Sequence, residues 1–357
     1  MTARTRLQLR TLTVIVAMAC LTTPLFNWLT TGEPESALQG VLDGFIIATT
    51  VGGYLIFVRD GVLRGWMRRW RFTPSLLLNS AVLATIFLVG RGLGQVISAG
   101  DPAEFAESFR DDHIVYAALF FVGLSVILIF VVQMNRMIGP NVLRYFVMGS
   151  YHRPRDENRV FLFLDLEGST HLAEELGSSR YYALLRRFVD DLTAPVLEAC
   201  GQIYQYAGDE VLVTWPEEDA LEDGNCVRCY FDILDAIDAE APAYQRDFGT
   251  VPRVRAGLHG GRVIAGELGD VKQEIVYVGD ALNVAARLEE YAKREKLGLV
   301  VSDELLARLE LPAALVAQPR GRIDVRGRRE GLPVSHVLRA RATPVLGAAR
   351  VPPLNPA

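Results

Sequence analysis

The sequence predicts two architectures in series: an all-α transmembrane bundle of four helices, then an α+β domain of ferredoxin-like type. Three observations carry this. Charge is unevenly spread. Of 37 basic and 42 acidic side chains in 357 residues, only 19 lie in residues 1–134 and 60 lie in residues 135–357. Four apolar stretches, about 12–29, 38–58, 76–97 and 113–134, are each long enough to cross a hydrocarbon core of about 30 Å as a helix. From residue 160 onward, short β-rich runs alternate with longer helical patterns. The formal net charge of −5 carries no nucleic-acid signature. The four cysteines are too few and too scattered for a disulfide framework.

The flanks of the apolar stretches alternate in sign. Arg4, Arg6 and Arg10 precede the first, and Glu33 and Glu35 follow it. Arg59, Arg64, Arg68, Arg69 and Arg71 separate the second from the third. Asp101, Glu104, Glu107, Asp111 and Asp112 separate the third from the fourth, and Arg136 and Arg144 follow. The positive-inside rule then places both termini in the cytoplasm, as a multi-pass protein of the inner (plasma) membrane. No small-residue cleavage site follows the first stretch, so it reads as a span and not a signal peptide. Asp43 and Arg91 fall inside spans two and three at similar depth. They either pair in a sensing bundle or snorkel to the interface. The loops outside are too short for a ligand domain, so any input comes from lipid, a membrane-borne ligand or a partner helix.

Residues 135–158 read as a transducer or linker, a loosely helical apolar stripe (Met137, Ile138, Val142, Tyr145, Phe146, Met148) closed by turn signals at Gly149, Ser150 and Pro154. The domain at 159–340 opens with the strand VFLFLDL (160–166), the turn Glu167–Thr170 and a helical segment. An amphipathic helix follows at about 178–199. QIYQYAGDEVLVTW (202–215) reads as a hairpin with Asp209 at its tip. Residues 217–240 look helical. PRVRAGLHGGRVIAGEL (252–268) looks like a second hairpin turning at Gly260-Gly261. EIVYVG (274–279) is extended, 280–293 helical, 298–302 a strand, 303–310 helical, and strands near 321–325 and 334–339 close the domain. That order suits helices on one face of a sheet. The tail 341–357 carries four prolines and reads as disordered.

Three places carry chemistry. Asp165 ends a strand that runs into a helix N-terminus, a corner suited to anions and to Mg²⁺. Asp209 sits at a hairpin tip that can neighbour it. Two carboxylates on adjacent strands can hold two divalent ions on a triphosphate, although a lone Asp at a strand end is most often a cap. Asn283 and Arg287 stand at i and i+4 on one helix, an amide and a fork of donors fit for ribose and phosphate. Read alone, that pair is better taken as a solvated helix face. Cys226-Val-Arg-Cys229 has metal-like spacing but no second pair, and reads as packing.

Taken together, FLDLEGST, YAGDE and VGDALNVAARL resemble the catalytic domain of class III adenylate/guanylate cyclases, over about residues 158–340. The resemblance implies that Asp165 and Asp209, with the Leu166 carbonyl, hold two divalent ions, Mg²⁺ or Mn²⁺. Gly168, Ser169 and Thr170 would cradle the triphosphate, and Arg326 would bind it where the family usually has Lys. Asn283 would orient the ribose and Arg287 would stabilise the α-phosphate charge. The family works as a head-to-tail homodimer, with the Asp pair from one chain and the Asn/Arg pair from the other.

Two positions depart from the pattern. Gln205 stands where the purine-selecting Lys belongs, and Val276 where its Asp or Thr partner belongs. The Gln amide both donates and accepts and can read either purine edge, whereas Val reads neither. The expected activity is conversion of ATP to cyclic AMP and pyrophosphate. The alternatives are a guanylate or dual-specificity cyclase acting on GTP, and a non-catalytic membrane receptor with a degenerate cyclase domain. The tip at 207–210 also resembles the GGDEF motif of diguanylate cyclases, but DLEGST and the Asn283/Arg287 pair do not fit that family.

Overall fold

In the computed structural model the chain forms two compact units, Met1–Ser150 and Tyr151–Ala357. The structure describes residues 34–54, 72–99, 151–324 and 330–340, with scattered positions at 9–28, at 58 and at 123–130. The stripe at 137–148, the tail 341–357 and Arg326 lie outside the described residues, as do most of the first and fourth apolar stretches.

In the first unit, helices α1 (Pro34–Gly53) and α2 (Phe72–Ala99) cover the second and third apolar stretches. Among the described residues, no helix is long and apolar enough to cross a membrane. The two helices meet through a polar contact. The Tyr54 hydroxyl donates to Asn79 Oδ1 at 2.9 Å, and Asn79 Nδ2 donates to the Ser75 carbonyl at 2.6 Å. Leu83 is buried beside Val51, Tyr54 and Leu76. The side chains of Asp43 and Arg91 lie outside the described ones.

The second unit runs β1 (Arg155–Leu166), α3 (Ser169–Glu198), β2 (Gln202–Ala207), β3 (Glu210–Pro216), α4 (Glu217–Leu221), α5 (Asn225–Ala239), α6 (Ala241–Phe248), β4 (Val254–Leu268), β5 (Glu274–Val278), α7 (Asp280–Glu295), β6 (Leu299–Ser302), α8 (Asp303–Leu306), β7 (Leu315–Ile323) and β8 (Leu332–Arg339). The sheet order is β2-β3-β1-β4-β6-β8-β7, with β5 on the far end of β4. Among the described residues, only the β4–β6 pair is parallel.

Alternation along the central strands decides which face each helix covers. Val160, Leu162, Leu164 and Leu166 of β1 and Val254, Ala256 and Leu258 of β4 point to one side, where they join Leu184 and Phe188 of α3 and Ile233 of α5. Helix α7 lies on the other side. Its Val284, Leu288 and Ala292 pack with Val300, Ile323 and Val334. The expected arrangement, with helices on one face only, is therefore corrected: the sheet is covered on both, because β6 also alternates, Leu299 and Val301 to one core and Val300 to the other.

The expected hairpin at 252–268 is one continuous strand. It pairs with β1 from Arg155↔Ala265 to Leu166↔Val254 without a break. Gly260 and Gly261, which suggested a turn, are paired opposite Val160 and Arg159 inside the strand. A third glycine of this strand has a packing role: a Cβ at Gly257 would collide with the backbone of Glu289 and Ala285, so it admits α7 onto the sheet. The same pairing makes residues 155–158 part of β1, where a linker turn was expected. The stretch 217–240 is two helices broken at 222–224, and α6 was not foreseen. The break between the two helical segments before residue 199 falls at Gly177 (φ 71°, ψ 157°) inside α3.

Buried Arg159 ties strands together on the α7 side. Its guanidinium donates to Glu157, Gln202 and Thr214 and lies 4.6 Å from the centre of the Tyr277 ring. Tyr277 in turn meets Tyr204 at 5.0 Å and Phe161 at 5.7 Å. Arg159→Met should cost about 1–3 kcal/mol, by removing the donor to Glu157 Oε2, Thr214 and Gln202. Gly257→Ala should cost at least about 1–3 kcal/mol through overpacking. Urea unfolding followed by circular dichroism measures both, and an unchanged midpoint in either variant contradicts its argument.

Candidate active site

Strand β3 runs antiparallel beside β1, with Leu164 opposite Val211. The β2–β3 turn therefore emerges next to the end of β1. Gly208 takes a left-handed conformation there (φ 68°), which lets a two-residue turn present Asp209. Asp165 ends up beside Asp209, near enough for the Asp209 charge to act on it. Burial, only partly offset by Lys293, holds the Asp165 carboxyl above the usual range, and the Asp209 charge adds to this. Glu210 is raised by burial and then by Asp165 and Asp209.

Helix α7 supplies two groups that sequence reasoning did not single out. Lys293 Nζ stands 3.2 Å from Asp165 Oδ2. Glu289 is 8% exposed, and its Oε1 has no hydrogen-bond partner. Burial, then the Asp165 charge, pushes its carboxyl up to about 7. The one available signal was that Lys293 is one of three lysines in the whole chain. Carboxylates thus outnumber cations here, and one buried oxygen is unsatisfied, which suits added positive charge.

Residues Asp165, Asp209 and their neighbours fit a divalent cation in a particular way. Among the described residues, no three of His, Cys, Asp and Glu converge as a complete ligand set. Two carboxylates with room for phosphate oxygens are what Mg²⁺ usually takes from a protein. Leu166 follows Asp165 with its side chain 1% exposed in the core, so only its backbone can face a ligand. The turn after it is well fixed. Glu167 N donates to the Arg253 carbonyl at 2.8 Å, and α3 begins at Ser169 with Gly168 at its N-cap. Thr170 is exposed in the first turn, and Ser169 lies beside the Tyr181 hydroxyl. A cavity of about 690 Å³ opens next to this turn, lined by Glu167, Gly168, Arg253 and Arg255 among others, but not by Asp165 or Asp209.

Asn283 and Arg287 stand exposed on α7, one turn apart. Arg287 Nη1 bonds to Glu290, and among the described residues no hydrogen bond or ion pair joins either residue to Asp165 or Asp209. Gln205 is exposed on β2 and Val276 half-buried on β5. Their chain neighbours Tyr204 and Tyr277 touch, so the two strands come together. Cys226 and Cys229 are buried free thiols of the core, and burial pushes Cys226 up to about 12. The packing reading of that pair holds.

Residues 152–339 match the family model described as the adenylate and guanylate cyclase catalytic domain. The chain is 37% identical over 292 residues to adenylate cyclase 2 of Rhizobium meliloti (strain 1021), covering 78% of each protein. It is 27% identical over 181 residues to adenylate cyclase 1 of the same organism, covering 50% of this chain but 27% of that protein. A solved bacterial light-regulated adenylyl cyclase shares the fold, with a TM-score of 0.52 at 21% identity over 61% of this chain and 65% of that one. With the motifs, the sheet and the family match in agreement, the chain belongs to the class III adenylate/guanylate cyclase family.

Proposed function

We propose that the protein is a membrane-anchored adenylate cyclase that makes 3′,5′-cyclic AMP and pyrophosphate from ATP at a homodimer interface. The observation that carries this is the strand register that brings the Asp209 turn beside Asp165 at the end of β1, next to a helix N-terminus. Two divalent ions, Mg²⁺ or Mn²⁺, held by these carboxylates and the Leu166 carbonyl, would neutralise the triphosphate and activate the 3′-hydroxyl. The first amides of α3, at Gly168, Ser169 and Thr170, offer donors to phosphate oxygens. Arg326 adds a cation to the triphosphate.

Asn283 and Arg287 are exposed and have no bond to the Asp pair of their own chain. That supports their supply from a second copy, where Asn283 holds the ribose and Arg287 meets charge developing on the α-phosphate. Gln205 and Val276, next in the chain to the touching rings of Tyr204 and Tyr277, take the base. The likeness to an adenylate cyclase over most of both chains favours adenine. A guanylate or dual activity is the second reading, favoured by the two-way hydrogen bonding of Gln205. The intact Asp pair opposes a non-catalytic receptor.

The membrane reading rests on the four apolar stretches and on the alternating charge of their flanks. It places a multi-pass anchor in the inner (plasma) membrane, with the catalytic unit cytoplasmic and lipid, a membrane-borne ligand or a partner helix as input.

Asp165→Ala and Asp209→Ala should each abolish cyclic AMP production by purified full-length protein supplied with ATP and Mn²⁺. Faster cyclic GMP than cyclic AMP formation would overturn the adenine preference. Asp165→Ala and Arg287→Ala, each inactive alone, should recover about a quarter of wild-type activity when co-expressed in equal amounts, because half the dimers then carry one intact site. No recovery would sink the shared-site reading. Flotation of the full chain with lipid vesicles, and not of residues 151–357, tests the anchor.

A further inference from the structure

Glu289 and Lys293 lie one turn apart on α7, and both face Asp165. Glu four residues before Lys is the favoured order for an ion pair along a helix. Lys293 nevertheless gives its ammonium to Asp165 across 128 residues of sequence. Glu289 is left 8% exposed with Oε1 unpartnered. The group that Lys293 engages is one that a divalent cation needs, and the group it passes over is a buried carboxylate within reach of the same flexible stem.

We propose that Lys293 competes with the divalent cation for Asp165, and that Glu289 is the acceptor to which the ammonium transfers when the cation binds. Lys293 is then a positioning residue that balances charge in the metal-free site and is displaced, not removed, by loading. This rests on the reading of Asp165 and Asp209 as metal carboxylates. The exchange leaves every carboxylate matched once the cation is bound. Before loading, Lys293 offsets Asp165 while Glu289 stays desolvated with Oε1 unpartnered. After it, the divalent ion offsets the Asp pair and Lys293 satisfies Glu289. Lys293 has a side chain 59% exposed, so it can swing without repacking the core.

Mn²⁺ binding to full-length protein without nucleotide, followed by the electron paramagnetic resonance of the free ion, tests this. Lys293→Met should bind Mn²⁺ about two- to fivefold more tightly than wild type, the scale of one exposed ion pair. Lys293→Arg, which keeps the charge, should stay near wild type. Glu289→Gln should weaken binding in the wild-type background and do so less in the Lys293→Met background. Unchanged or weaker binding by Lys293→Met overturns the competition. An equal loss from Glu289→Gln in both backgrounds overturns the transfer. Binding that Asp165→Ala does not reduce removes the metal reading itself, and this inference with it.

Discussion

Strand β1 lies between β3 and β4, and its register with both decides where the charged groups of the site fall. Pairing with β3 brings the Asp209 turn to the end of β1. Pairing with β4 runs twelve residues without interruption and sets Gly257 opposite Phe163. At Gly257 the backbone of α7 approaches the sheet, so the same register also fixes how deep Glu289 and Lys293 sit over Asp165. A slip of one residue would turn Asp165 toward the hydrophobic core of α3 and α5 and would put Leu164 or Leu166 on the α7 face. The apolar alternation of β1 forbids that slip at the cost of several buried leucines.

Within this frame the site is a place of uneven charge. Asp165 and Glu289 are mostly buried, and Asp209 and Glu210 crowd them. Arg255, opposite Asp165 on β4, pairs with Glu167 and only partly offsets the Glu289 charge. Elsewhere the protein does satisfy charge with a buried arginine. Arg159, 2% exposed, is satisfied by Glu157, Thr214, Gln202 and the Tyr277 ring. The cation on Asp165 itself is an exposed lysine on the rim. A guanidinium held by several partners, as at Arg159, could not give way to a divalent cation, whereas an exposed side chain on a flexible stem can.

The Arg159 cluster also links parts that are far apart in sequence. Tyr151, at the start of the catalytic unit, donates to the other oxygen of Glu157. Arg159 then reaches Gln202 at the head of β2 and the Tyr277 ring on β5. These are the strands of Gln205 and Val276. The entry of the chain into the catalytic unit and the strands assigned to the base are thus joined by one set of hydrogen bonds and one ring stack.

Much was legible in the chain itself. The order DLEGST, AGDE and DALNVAARL identified the family, because turn chemistry and a helical i, i+4 pair are local properties that a short segment writes in full. The strand ends at Asp165 and Asp209 and the break before residue 178 were legible for the same reason. What local patterns could not show was which glycines make turns and which admit a neighbour. Gly260 and Gly261 read as a hairpin, yet they sit inside β4, because a long-range partner, β1, offers hydrogen bonds along the whole stretch. The face on which α7 packs, the burial of Glu289 and the grip of Lys293 on Asp165 were likewise decided only by the tertiary structure. Each depends on two segments meeting across a sheet, and neither segment alone contains the distance between them.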